Sequence, residues 1–162
     1  MTRAAARAVR PEAEEQGLVL ARFLPYRLNV AAVAISQDLA RLYGARWNIG
    51  IAEWRLIATL GETDGLTATQ LVADTRLHKT KVSRAVATLE SRGLLRREAD
   101  SADRRSARLS LTGAGRALYA EVAPVALDHE RRLRARIEPA DLAAFERVLD
   151  RLIALGREVG PS

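Results

Sequence analysis

The 162-residue chain contains no cysteine. Disulfides, thiolate-bound zinc, cysteine nucleophiles and peroxide sensing through a thiol are therefore excluded. Histidine is nearly as scarce, with only His78 and His129, far apart in sequence. A metal site would have to draw its remaining ligands from carboxylates, so neither a metal nor a cofactor is expected. Aromatic residues make up only 4%. Long apolar runs are missing too. The longest, Val30 to Ile35, stops at Ser36-Gln37-Asp38, far short of the roughly 18 residues that a membrane span needs. Arg3, Arg7 and Arg10 stand among alanines at the N-terminus, and no apolar segment follows them. That stretch reads as a basic tail, not a secretory signal. A cytoplasmic location without a membrane partner is expected.

Enzyme signatures are also absent. There is no phosphate-binding loop and no Ser/His/Asp set at workable spacing. The nearest carboxylate pairs, Glu62 with Asp64 and Asp100 with Asp103, fall in predicted turns, where solvated carboxylates are the rule. The chain is not expected to be an enzyme.

What is present is positive charge, concentrated in one place. Between Arg76 and Arg108 lie ten basic residues and four acidic ones, whereas the rest of the chain holds sixteen of each sign. The whole net charge of +6 thus sits in about one fifth of the sequence. A single-sign cluster of this kind is the electrostatic footprint of a polyanion partner. On composition alone, a merely solvated basic face reads equally well.

The local patterns put this cluster on a defined scaffold. A helix is predicted from Leu24, with Pro25 in its first turn and Gly44 at its end. Leu28, Ala32, Ile35, Leu39 and Leu42 form its apolar stripe,. A second helix runs from Ile51 to Leu60, closed by Gly61. Thr67 with Gln70 three residues on is a capping box, and it opens a short helix to about Asp74. After a turn at Thr75-Arg76-Leu77, a further helix spans Lys79 to Arg92, with Val82, Val86 and Leu89 inward and Gly93 at C′,. Two short strands, Leu94–Arg97 and Ala107–Leu111, are joined by the polar stretch Asp100 to Ser106,. Thr112 caps a helix over about Gly113 to Ile137 that Pro124 should kink or break. A last helix starts at Pro139, with Leu142, Phe145, Val148, Leu149, Leu152 and Leu155 along one side. The fold class is mainly α (α+β): a winged helix-turn-helix flanked by helices whose stripes one small winged domain cannot cover.

In such a fold the second helix of the helix-turn-helix enters the major groove, N-terminal residues first. Here these are His78, Lys79, Thr80, Lys81, Ser83 and Arg84. With Val82 and Val86 inward, Lys79, Thr80, Ser83 and Arg84 share the outward arc. Arg84 suits a bidentate contact to guanine. The lysines and hydroxyls suit phosphates or base edges, and Lys81 reads equally well as a solvated side chain. In the hairpin loop, Arg104 and Arg105 suit a narrow minor groove. Asp103 and Arg105 share one side of an extended chain, so the carboxylate can orient the guanidinium. An ordinary surface salt bridge is the alternative.

These segments resemble the MarR-type transcriptional regulators. The residues that carry the resemblance are Lys79-Thr80-Lys81-Val82-Ser83-Arg84-Ala85, Leu89-Glu90-Ser91-Arg92-Gly93-Leu94-Leu95, Asp103-Arg104-Arg105-Ser106 and Leu109-Ser110-Leu111-Thr112. With the flanking helices, it covers about residues 20–158. It implies a homodimer held by the N-terminal helix and the last two helices, with each subunit's recognition helix and wing on double-stranded DNA. It divides the chain into a flexible tail at 1–17, a helical dimerisation region at 18–46 and 113–162, and a winged DNA-binding domain at 47–112. The function implied is that of a repressor released from a pseudo-palindromic operator by a small effector.

An effector cleft can be lined by Tyr26, Arg27, Tyr43, Arg46, Trp47 and Trp54, with Arg27 or Arg46 holding a carboxylate. Trp54 also reads as a core residue. The segment Phe23 to Asn29 resembles that of regulators of aromatic-acid catabolism, some of which respond to aromatic acyl-CoA thioesters. The competing reading is a winged-helix architectural or protein-interaction module without a ligand response.

Overall fold

The structure, a computed structural model, describes residues 17–99 and 107–158. A 3-10 turn at Leu20–Arg22 precedes α1 (Leu24–Trp47), α2 (Ile51–Glu62), β1 (Leu66–Thr67), α3 (Ala68–Thr75) and α4 (Lys79–Ser91). Then follow β2 (Leu95–Ala99), β3 (Ala107–Leu111), α5 (Gly113–Arg134) and α6 (Pro139–Glu158). The chain divides into two compact units at Ile35/Ser36, inside α1. In the first unit, Leu24, Tyr26, Val30 and Val33 are exposed. The second unit carries the sheet and the other helices.

The expected class holds: a mostly helical chain with one small antiparallel sheet. Three helix ends differ from expectation, each for a physical reason. α1 runs through Gly44 and stops at Trp47, because Asn48 takes the left-handed conformation (φ 50°) and its N–H donates back to the Gly44 carbonyl. Asparagine visits that region more readily than most residues. α2 continues past Gly61 to Glu62. Gly61 is a contact glycine, not a stop: a Cβ there would lie 2.7 Å from the Tyr119 ring. α5 runs unbroken through Pro124 and ends at Arg134, short of Ile137. Pro124 and Ala120, whose carbonyl loses its donor, are both exposed, where water can supply the missing bond,.

The sheet has the order β1-β3-β2, with Leu66 opposite Leu109 and Leu95 opposite Leu111. The two-residue β1 is too short to leave a pattern in the sequence. The core is built from α2 (Leu56, Ile57, Leu60), α3 (Leu71), α4 (Val82, Ala85, Val86, Leu89) and the strands (Leu95, Leu109, Leu111). Tyr43 and Val122 join it from α1 and α5. Burial pushes the Tyr43 hydroxyl up to about 12,.

The helix ends around the helix-turn-helix are closed by their own side chains. The Thr67 hydroxyl accepts from the Gln70 N–H at 3.2 Å, and the Gln70 side chain accepts from the Thr67 N–H at 2.8 Å. This is the predicted capping box. At the far end of α4, Gly93 N–H donates to the Glu90 carbonyl and Leu94 N–H to the Leu89 carbonyl. With Gly93 at φ 67°, this is a Schellman motif that turns the chain into β2,. Thr112 accepts from the Gly115 N–H and donates to the Gly93 carbonyl, tying the start of α5 to the same corner.

Candidate nucleic-acid interface

The helix-turn-helix joins α3 to α4 through Arg76, Leu77 and His78. Arg76 adopts the left-handed conformation (φ 56°). Buried Thr75 organises the turn: its hydroxyl donates to the Leu71 carbonyl and accepts from the Leu77 N–H at 3.4 Å. His78 is the N-cap of α4, its Nδ1 accepting from the Thr80 N–H at 3.3 Å. The capping role of His78, expected only among the residues that reach base edges, is not foreseen from the sequence.

Val82, Ala85, Val86 and Leu89 face inward along α4. At the helical period the opposite arc carries Thr80, Ser83, Arg84, Ala87 and Ser91, all exposed, with exposed Lys79 and Lys81 flanking it,. The structure thus brings the α4 residues expected at DNA onto one solvent-facing surface. Ala87 is an addition; its methyl has the chemistry to meet a thymine methyl. Asp103, Arg104 and Arg105 lie outside the described residues.

The basic cluster divides in two. Arg97 forms a two-pronged pair with Glu90, at 3.1 and 3.2 Å, holding β2 to α4. Arg96 pairs with Glu98 at 3.3 Å. Arg108 donates to the Gly65 carbonyl at 3.0 Å, and Arg92 donates to the carbonyls of Trp47 and Asn48. These four have partners within the chain. Lys79, Lys81 and Arg84 have no ion pair among the described residues. Their charge is uncompensated on the outward side of α4, as a polyanion would require.

Among the residues considered for an effector cleft, Tyr43 meets Trp54 ring to ring and Arg46 meets Trp47. Tyr43 is only 1% exposed and belongs to the core. Arg46 lies over the Trp47 ring, 4.6 Å from its centroid. Tyr26 and Arg27 fall in the first of the two units. Trp54 packs between Tyr43 and Tyr119, with ring centroids 5.9 and 6.3 Å away. It also lines a cavity of about 260 Å³ between α2 and α5, with Ala58, Glu62, Tyr119 and Leu127. Tyr119 has no motif that would flag it in the sequence.

Among the described residues no helix is long and apolar enough to cross a membrane. Comparison with known proteins bears on the fold and the interface together. No curated protein matches the sequence significantly. Residues 47–106 match the family model described as MarR family. A MarR-family transcriptional regulator from Silicibacter pomeroyi is 32% identical, over 84% of this chain and 91% of that one, with a TM-score of 0.69. A MarR/EmrR-family regulator from Acinetobacter sp. ADP1 is 24% identical over 88% and 100%, with a TM-score of 0.79, a likeness of fold. A MarR-family regulator from Streptomyces coelicolor, solved in complex with DNA, is 26% identical over 93% and 94%, with a TM-score of 0.76. Fold, helix-turn-helix and relatives agree, and the chain belongs to the MarR family of winged-helix, DNA-binding transcriptional regulators.

Proposed function

We propose that this chain is a sequence-specific, ligand-responsive repressor that acts as a homodimer on a pseudo-palindromic operator. The observation that carries the DNA reading is the outward side of α4, where Lys79, Lys81 and Arg84 have no ion-pair partner among the described residues while Arg92, Arg96, Arg97 and Arg108 are engaged within the chain. The DNA-bound relative from Streptomyces coelicolor supports it. In this reading Arg84 contacts a guanine, and Lys79, Thr80, Lys81 and Ser83 contact phosphates or base edges. His78 sets the start of the helix, and Arg104 and Arg105 enter the minor groove, with Asp103 orienting Arg105. The DNA-binding domain is 47–112, and 18–46 with 113–162 form the dimerisation region. Exposed Leu127, Phe145, Val148, Ile153 and Leu155 on α5 and α6 support this division,. His129 adds to it: its Nε2 is shut from solvent with no hydrogen-bond partner among the described residues.

The effector is proposed to be a small aromatic compound, an aromatic acid or its acyl-CoA thioester, seated beside Trp54. Trp54 lines the cavity between α2 and α5, next to Tyr119.

Selection of duplexes from a random pool tests the DNA reading. Enrichment of a two-fold motif with half-sites about one helical turn apart is expected. Arg84→Ala should relax one base position at a loss of about 1–3 kcal/mol, and Arg105→Ala should weaken binding to many sequences alike. A pool that emerges without any motif would favour the architectural reading. Thermal-shift measurements with aromatic acids and their CoA thioesters test the effector, and a flat response to all of them would sink it.

A further inference from the structure

Arg92 belongs to the basic cluster by sequence, but its position is behind the reading helix. It is the C-cap residue of α4. Its Nη1 donates to the Asn48 carbonyl at 2.7 Å and its Nη2 to the Trp47 carbonyl at 2.9 Å, across more than 40 positions of sequence. Trp47 is the last residue of α1, and Asn48 is the left-handed residue that stops it. Carbonyls at a helix C-terminus lack intrahelical donors and sit at the negative end of the helix dipole. A planar guanidinium can satisfy two of them at once, which an ammonium cannot do with the same geometry. The contact continues beyond α1. The Trp47 indole N–H donates to the Glu121 carboxylate on α5 at 2.9 Å, and Arg46 lies over a face of that ring. The end of α4 is therefore tied through one corner of the chain to both α1 and α5.

We infer that Arg92 is a positioning residue. It seats α4 against the ends of α1 and α5 and makes no DNA contact. Movement of α1 or α5 then reaches the reading helix through the Arg92–Trp47–Glu121 chain. The inference rests on the reading of α4 as the recognition helix.

The test uses the full chain, the duplex that the wild type enriches from a random pool, and a scrambled duplex of equal length. Arg92→Gln should bind the enriched duplex about tenfold more weakly, with the scrambled duplex within twofold and the salt slope unchanged. Arg92→Lys, able to reach one carbonyl, should lose about threefold. Glu121→Ala should also lose about threefold, and the Arg92→Gln/Glu121→Ala double variant no more than Arg92→Gln alone. Without any DNA, the indole ¹⁵N–H signal of Trp47, one of two tryptophans, should move in Arg92→Gln while that of Trp54 stays.

A salt slope reduced by about 1.8 per dimer would make Arg92 a phosphate contact and overturn the inference. So would unchanged affinity for the enriched duplex, additive losses in the double variant, or an unmoved Trp47 signal. If Arg92→Gln melts below the assay temperature, Arg92→Lys and Glu121→Ala carry the same comparison. A wild type that enriches no sequence overturns the recognition-helix reading and this inference together. Enrichment by the wild type with any of the other adverse results overturns only the inference.

Discussion

The winged head and α6 are written in the same amphipathic code, yet they end in opposite states. Leu56, Leu60, Leu71 and Leu89 of the head are completely buried. On α6 none of the residues whose burial is described is buried; Phe145 is 51% exposed and Leu155 55%. An apolar stripe states that a face is to be covered, not what covers it. In the head, three helices and a three-stranded sheet fold back on one another and close a core within one chain. On α6 Leu142, Leu149 and Leu152 are half-buried while Phe145, Val148 and Leu155 stay open, and a second copy is the proposed cover.

The largest expected effect breaks the closed side of this comparison. Leu89→Ala should cost about 2–5 kcal/mol in urea unfolding, because it leaves a cavity in a packed core. A loss under 1 kcal/mol would mean that the core is looser than described. Gly115→Ala comes next. A methyl there runs into the Leu94 carbonyl oxygen and, at 3.2 Å, the Leu111 side chain. With backbone on one side it should cost about 1–3 kcal/mol, and an unchanged melting temperature would contradict the packing of α5 against Leu94 and β3.

The open side is probed by Phe145→Asp. It should leave the far-ultraviolet spectrum of the head intact while raising the dimer dissociation constant about tenfold or more in sedimentation. Unchanged association would remove α6 from the interface.

Two smaller effects follow from titration. Tyr43, held in the core with its hydroxyl pushed up to about 12, favours the fold in its neutral form. The stability it contributes is complete below about 10, where the unfolded tyrosine ionises, and is lost as pH rises through about 12,. Absorbance titration should show one of the three tyrosines ionising late, and Tyr43→Phe should remove that step. Asp64 is held below the usual carboxylate range by its hydrogen bond from Arg116 at 2.8 Å. Its contribution is present above the ordinary aspartate range and is lost as pH falls through its lowered value. Both partners are well exposed, so Asp64→Asn should cost under about 1 kcal/mol.

Much of the head was legible from residue order alone. The Thr67–Gln70 capping box, the inward Val82, Val86 and Leu89, Gly93 at its turn and Thr112 at the start of α5 all depend on neighbours within one or two helical turns. The effector residues were far less legible. Tyr43, Arg46 and Trp54 are near in sequence, but α1 turns Tyr43 into the core against Trp54 and lays Arg46 on Trp47, while Trp54 also meets Tyr119 from α5.

Local chemistry alone determined where the helices start, which side of α4 faces in and where the positive charge gathers. Tertiary structure decided how that charge is used. Ten basic residues look alike in a composition. Only folding sets Glu90 against Arg97, Gly65 against Arg108 and the end of α1 against Arg92, leaving Lys79, Lys81 and Arg84 facing out. A long-range partner imposes no periodicity on the sequence, so it becomes visible only when the chain has brought the two groups together.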